Sequence, residues 1–111
     1  MDDVRIYYFS AAWCGPCKTF KPVMEKLEEK GYPIYFVDVD EDQVLAESHQ
    51  IRSVPTIKIV ENEKVLETMV GIQDPTIMVP KFQLYAPIDL EEDTDESWST
   101  FWLSHNWGDD L

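Results

Sequence analysis

The order of apolar and amphipathic stretches constrains the fold of this chain more than any other feature. Residues 4–10, VRIYYFS, are rich in β-branched and aromatic residues, which is typical of a strand covered on both faces. A second such run, PIYFVDV, occupies 33–39. Between Pro16 and Gly31 the apolar residues follow the spacing of one helical face, namely Phe20, Val23, Met24 and Leu27. A strand, a helix and a strand in this order predict a parallel pair joined by a right-handed crossover.

The next stretch predicts a short helix, a hairpin and a final helix. The acids after the second strand supply an N-cap for a helix that ends near His49, which we expect to be a solvated residue. Strands over 56–60 and 64–70 are joined by the turn ENE and form the hairpin. Asp74 is the N-cap of the last helix, which we expect to be short or kinked because Pro80 falls inside it.

The charge of the chain argues against two classes of partner. Nine basic and 22 acidic residues among 111 give a formal net charge of −13. Such a charge repels nucleic-acid backbones and anionic membranes alike. The chain opens on two acids rather than on a basic region followed by an apolar one, and no run reaches the ~20 apolar residues of a membrane span. We therefore expect a cytoplasmic, monomeric protein that binds neither nucleic acid nor membrane.

The composition changes near residue 89. Residues 1–88 hold nine bases and fourteen acids, a net charge of −5, whereas 89–111 hold eight acids and no Lys or Arg. We therefore divide the chain into a domain, 1–88, and an acidic, aromatic tail, 89–111. In the tail, side chains recur at helical spacing, namely Trp98, Phe101, Trp102 and His105. Three alternatives stay open for the tail: packing onto the domain, binding a partner, or disorder.

The chain contains two cysteines, Cys14 and Cys17, at the predicted start of the first helix. With Cys14 at the N-cap and Cys17 in the first turn, the two sulfurs lie on the same side and can meet. Unpaired N–H groups and the helix dipole then favour a thiolate at Cys14. The alternatives are two buried structural thiols or a zinc site, but zinc takes about four ligands and the chain adds only two distant histidines. The position favours a redox dithiol without a metal.

Two motifs together resemble the thioredoxin family: WCGPC at 13–17 and RSVPT at 52–56, with Gly71 after the hairpin. The resemblance covers about residues 4–79. It implies an α/β fold with a four-stranded mixed sheet in the order 2-1-3-4 and helices on both faces. It also implies reduction of protein disulfides, with no bound cofactor and with an external reductase, similar to thioredoxin reductase, that restores the dithiol. The alternative function is a non-catalytic subunit of a larger complex that uses the thioredoxin-like surface and the tail.

The resemblance further implies a role for each site residue. Cys14 would be the exposed nucleophile and Cys17 the buried resolving thiol. Pro55 would be cis and would let the Val54 backbone pair with an extended substrate segment. The substrate groove implied in this way comprises Trp13, Gly15, Pro16, Val54, Pro55 and Gly71.

Two departures from the family pattern stand out, one in the interior of the site and one at the start of the domain. Tyr8 stands where the family usually has a buried carboxylate that assists proton transfer at the resolving thiol, and Phe36 replaces the lysine partner of that acid. A tyrosine is a poor base at neutral pH, so we expect slow resolution by Cys17. The chain also opens without the strand and helix with which thioredoxins begin, which leaves the smaller core seen in glutaredoxins.

Overall fold

The computed structural model describes residues 3–88 of the chain. The interpretation of 89–111 as a tail falls outside the described residues and stays a prediction. Three helices and four strands follow one another in the described part: β1 (Val4–Ser10), α1 (Gly15–Lys30), β2 (Ile34–Asp38), α2 (Gln43–Ser48), β3 (Thr56–Glu61), β4 (Lys64–Val70) and α3 (Pro75–Tyr85).

The four strands form one mixed sheet in the order β2-β1-β3-β4, as predicted. β1 and β2 run parallel, with Ile6 opposite Ile34, and α1 is the crossover between them. β3 lies antiparallel to both β1 and β4. The turn between β3 and β4 places Asn62 and Glu63 at positive φ, which lets a two-residue connection follow the twist of the hairpin.

Alternate residues of β1 point to opposite faces of the sheet, and each face meets different helices. Ile6 and Tyr8 are fully buried in the main core. That core also contains α1 and α3 side chains, namely Phe20, Val23, Met24, Leu27, Met78 and Phe82. On the other face, the rings of Tyr7 and Phe9 each lie 5.5 Å from the His49 ring at the end of α2. Helices therefore cover both faces, and the main core lies between the sheet and the α1–α3 side.

Capping residues set the limits of α1. Cys14 is the N-cap, with extended backbone angles, and the helix ends at Gly31, whose φ of 118° is left-handed. The Gly31 N–H donates to the Glu28 carbonyl at 3.0 Å and so partners one of the last carbonyls. Both limits agree with the sequence pattern, because a glycine adopts this φ without steric cost.

The last helix passes through the proline that we expected to shorten or kink it. α3 begins at Pro75, after the N-cap Asp74, and runs for eleven residues with Pro80 inside. A proline at this depth removes one backbone hydrogen bond. Met78 and Phe82, on either side of it, are fully buried, so burial of this helix face offsets the lost bond.

None of the helices within residues 3–88 is both long enough and apolar enough to cross a membrane.

Candidate active site

The predicted site residues converge on one edge of the sheet. The carboxyl ends of the parallel strands β1 and β2 meet there, because Ser10 pairs with Asp38. The start of β3 and the end of β4 reach the same edge, where Thr56 pairs with Phe9 and Val70. The N-terminus of α1 follows β1 directly, so the cysteine motif and the VPT loop lie against each other although they are about forty residues apart.

Cys14 and Cys17 are joined by a disulfide, with their Cα atoms 5.3 Å apart. Cys14 lies at the N-cap of α1 and Cys17 in its first turn, as predicted. The Cys17 backbone N–H donates to the Cys14 sulfur at 3.1 Å. Such a donor stabilises negative charge on the acceptor sulfur, and the positive end of the helix dipole acts in the same direction.

The surroundings of the cysteine pair are apolar. Both cysteines pack with Ala11, Val39 and Val54. Cys14 exposes 4% of its surface and Cys17 2%. We expected an exposed Cys14, and in this disulfide form it is instead almost as covered as Cys17, because the sulfur turns inward to bond its partner and lies 3.8 Å from the Val54 carbonyl oxygen.

The loop opposite the dithiol has the backbone geometry implied by the resemblance. The Val54–Pro55 peptide bond is cis. Gly71 has a φ of 88°, a left-handed value, and its N–H donates to the Pro55 carbonyl at 2.8 Å. This hydrogen bond ties the end of β4 to the loop that faces Cys14. Val54, Pro55 and Gly71 therefore lie together, across from the helix that carries the cysteines.

Trp13, Gly15 and Pro16 form the exposed rim beside Cys14. The Trp13 side chain is 69% exposed, an unusual position for a large aromatic residue. Its indole Nε1–H donates to the Asp40 carboxylate at 2.8 Å, which restrains the orientation of the exposed ring. Sequence reasoning missed Asp40, although its place just after a predicted parallel strand would bring it to this edge.

Tyr8 reaches the dithiol from inside the core. Its hydroxyl donates to the Cys17 backbone carbonyl at 2.8 Å, and its ring lies edge-on to Phe36 at 5.8 Å. Burial raises the pKa of the Tyr8 phenol above its usual value of 10.0. The two residues that replace the family's polar pair are therefore in contact. Tyr8 is fully buried, and Phe36 is half-buried and packs against the same core.

His49 is half-buried rather than the solvated residue we expected. The rings of Tyr7 and Phe9 cover it, and the Lys58 ammonium donates to its backbone carbonyl at 2.7 Å. Burial, and secondarily the charge of Lys58, lower the pKa of the His49 imidazole. A groove of about 630 Å³ on this face is lined by His49, Tyr7 and Arg5, among others. It lies on the α2 side of the sheet, so it is separate from the cysteine pair.

A disulfide closed between two cysteines of one helix N-terminus, on the edge of an α/β sheet, is the site of a thiol-disulfide oxidoreductase. Comparison with known proteins agrees with this class. The thioredoxin family model matches residues 2–86. The thioredoxin of Bacillus subtilis is 40% identical over 75 residues, which are 65% of this chain and 72% of that protein.

A solved structure and a second relative extend the comparison. A mutant thioredoxin from Halobacterium salinarum has a TM-score of 0.70 and 35% identity, covering 79% of each chain. NADPH-dependent thioredoxin reductase 3 of Arabidopsis thaliana is 33% identical over 73 residues, which are 63% of this chain and 14% of that protein. The chain belongs to the thioredoxin family. It is a thiol-disulfide oxidoreductase that reduces protein disulfides through Cys14 and Cys17.

Proposed function

We propose that Cys14 is the nucleophile of this reductase and Cys17 its resolving thiol. The observation that carries the assignment is the hydrogen bond from the Cys17 N–H to the Cys14 sulfur at the N-cap. It supports a thiolate at Cys14, since the donor and the helix dipole stabilise charge on that sulfur. Cys17 lies one turn further into the helix.

The exchange then takes two steps. The Cys14 thiolate attacks one sulfur of the substrate disulfide, forms a mixed disulfide and expels the other substrate sulfur as a thiolate. Cys17 loses its proton, attacks the Cys14 sulfur and closes the Cys14–Cys17 disulfide, which releases the second substrate thiolate. The substrate has gained two electrons, and the protein is left oxidised.

We propose that an extended segment of the substrate lies between the two walls of the site. Trp13, Gly15 and Pro16 form one wall, and the second consists of Val54, Pro55 and Gly71. The open position of Gly15 supports this arrangement, because no atom outside its neighbourhood lies within 4 Å of where a Cβ would be. The fixed orientation of Trp13 offers a flat apolar surface beside Cys14.

An external reductase restores the dithiol in this proposal, and the protein works as a cytoplasmic monomer without a bound cofactor of its own. The Arabidopsis relative, NADPH-dependent thioredoxin reductase 3, supports a reductase of the thioredoxin reductase type, because a stretch similar to this chain forms part of that protein. Thiols are mostly reduced in the cytosol, where such a reductase can supply the electrons that return the disulfide to the dithiol.

Insulin reduction with dithiothreitol as electron source tests the assignment. We expect Cys14→Ser to abolish it, because no nucleophile remains at the helix end, and Cys17→Ser to accumulate the mixed disulfide. Ser10→Ala, a change at the end of β1, is the control for an unrelated substitution near the site. Wild-type rates of insulin reduction by Cys14→Ser would overturn the proposal. If the mixed disulfide accumulated in Cys14→Ser instead of Cys17→Ser, Cys17 would be the nucleophile and Cys14 the resolving thiol.

A further inference from the structure

Tyr8 is a polar side chain that forms a hydrogen bond to Cys17 from the core. It is fully buried in the middle of β1, with its ring against Phe20 and Phe36. Its hydroxyl donates to the Cys17 backbone carbonyl, whereas the Cys17 N–H donates to the Cys14 sulfur. The bond from Tyr8 joins the central strand of the core to the first turn of the helix that carries the dithiol.

The bonded carbonyl lies where α1 is short of backbone hydrogen bonds. Pro22 has no N–H, so the Lys18 carbonyl, four residues earlier, lacks its usual helical donor. The Cys17 carbonyl is the next one toward the helix N-terminus. A hydroxyl that donates to it from the core restrains this weakened turn, and with it the direction of the Cys17 side chain.

The same hydroxyl is unsuited to accept a proton from Cys17. Its hydrogen is directed to the carbonyl, and burial raises the pKa of the phenol, so the group is neutral at neutral pH. The hydrophobic side chains packed with the cysteine pair are Ala11, Val39 and Val54, and none of these three can accept a proton. Asp40, on the exposed rim, accepts from the Trp13 indole instead.

We propose that Tyr8 is a positioning residue for the resolving step and that this protein resolves its mixed disulfide without a buried proton acceptor. The Cys17 thiol gives its proton directly to hydroxide or water. The thiolate then attacks the Cys14 sulfur, the Cys14–Cys17 bond forms, and the bond from Cys14 to the substrate breaks. The substrate sulfur leaves with the electron pair and takes a proton from water.

This inference rests on the reductase function and adds a kinetic property to it. Without an internal base, the rate of resolution follows the thiolate fraction of Cys17. Below the pKa of that thiol, the fraction changes about tenfold for each pH unit. The mixed disulfide is therefore long-lived at neutral pH and short-lived at alkaline pH, so the protein stays covalently attached to its substrate for longer in less alkaline surroundings.

Stopped-flow measurement of both steps from pH 6 to 9 tests the proposal with a disulfide peptide substrate. In the wild type we expect the second step to rise about tenfold per pH unit to a single inflection. Tyr8→Phe keeps the ring and removes the hydrogen bond, and we expect it to slow the second step about three- to tenfold at every pH, as the loss of one such bond predicts. Tyr7→Phe, on the opposite face of the same strand, is the matched control and should leave both steps unchanged.

The outcomes distinguish a failure of the reductase assignment from a failure of the inference about Tyr8. A wild type without a first step would overturn the reductase assignment, whereas a normal first step followed by a second step with two inflections would overturn only the inference about Tyr8. Equal second-step rates in the wild type and Tyr8→Phe would show that Tyr8 does not position Cys17. An inflection present in the wild type and lost in Tyr8→Phe would show that the hydroxyl itself moves the proton.

A second variant supplies the missing acceptor. Tyr8→Asp places a carboxylate beside Cys17, and we expect it to speed the second step near pH 7 and to add an inflection. An unpaired buried carboxylate is costly, since Phe36 offers it no partner, so the variant should also melt lower. If it folds and its profile matches the wild type, another group already serves as the base and the inference is wrong; if it does not fold, Tyr8→Phe decides.

Discussion

His49 illustrates how a single residue can make the stability of this domain depend on pH. Burial against Tyr7 and Phe9, with the charge of Lys58 nearby, lowers the pKa of the imidazole in the folded state. The unfolded chain, with an ordinary histidine pKa near 6.5, binds more protons than the folded one in the range just below that value. Stability from this residue is therefore present at neutral pH and is lost as the pH falls through this range.

We predict that His49→Gln flattens this part of the stability curve. Urea unfolding at pH 7.5 and at pH 5 should show a smaller loss of unfolding free energy on acidification than in the wild type. His105→Gln, a change at the second histidine of the chain, is the matched control and should keep the wild-type difference. Equal losses in the wild type and His49→Gln would mean that His49 is not the responsible group.

At the scale of single residues, local chemistry could be predicted from the sequence and long-range contacts could not. Cys14 at the N-cap follows from neighbours in the chain, namely Pro16 and the helical pattern after it. The bond from Trp13 to Asp40 joins residues 27 positions apart, and nothing in either local pattern specifies it. His49 was misjudged for the same reason, since the rings that cover it belong to β1.

Glycines lie at the start of α1 and just after β4, but only the second position has a backbone conformation that requires glycine. Gly15 opens α1, and a Cβ there would meet nothing within 4 Å. Gly71 follows β4 with a φ of 88°, where a side chain is strained even though there is space for it. A substitution to alanine should therefore have opposite effects at the two positions.

We predict that Gly71→Ala lowers the free energy of unfolding by about 1–2 kcal/mol, the cost of a left-handed backbone for an L-residue. Gly15→Ala should be neutral or stabilising by up to about 1 kcal/mol, because alanine is the better helix former. Thermal unfolding of both variants checks the pair. A Gly71→Ala variant as stable as the wild type would mean that the Pro55–Gly71 connection relaxes without cost.

Element types and their order followed from the sequence, whereas the eleven-residue length of α3 did not, and a kink at Pro80 stays a prediction. The alternation of strand and helix patterns is a local signal, and it predicted the parallel pair and the hairpin, whereas the sheet order came from the family resemblance. Pro80 argued for a short or kinked helix because propensity counts only the lost hydrogen bond. The buried Met78 and Phe82 supply tertiary packing that propensity does not include.

At the scale of the whole molecule, the charge is concentrated in the segment beyond residue 88, which carries −8 of the total of −13. If the segment packs onto the domain, we predict that deleting 89–111 lowers the melting temperature, because buried apolar area is worth ~25 cal/mol per Å². Insulin reduction should survive, since both cysteines lie in the remaining domain.

A variant with alanine at Trp98, Phe101 and Trp102 separates apolar packing from charge. It keeps all eight acids, so it should reproduce the lower melting temperature if aromatic packing is the cause. An unchanged melting temperature in both variants would leave partner binding or disorder as the role of this segment. Replacement of both cysteines by serine tests the remaining alternative, because a non-catalytic subunit would keep its function without them.

Apart from Tyr8 in the middle of β1, the described segments around the dithiol are loops or element ends gathered at one edge of the sheet, while the main core lies on the α1–α3 side. Recognition and stability therefore depend on largely different residues. Such a separation makes the domain evolvable: exposed loop residues such as Arg52 and Ser53 can change, and so exchange one target for another, without altering the buried scaffold or the redox pair.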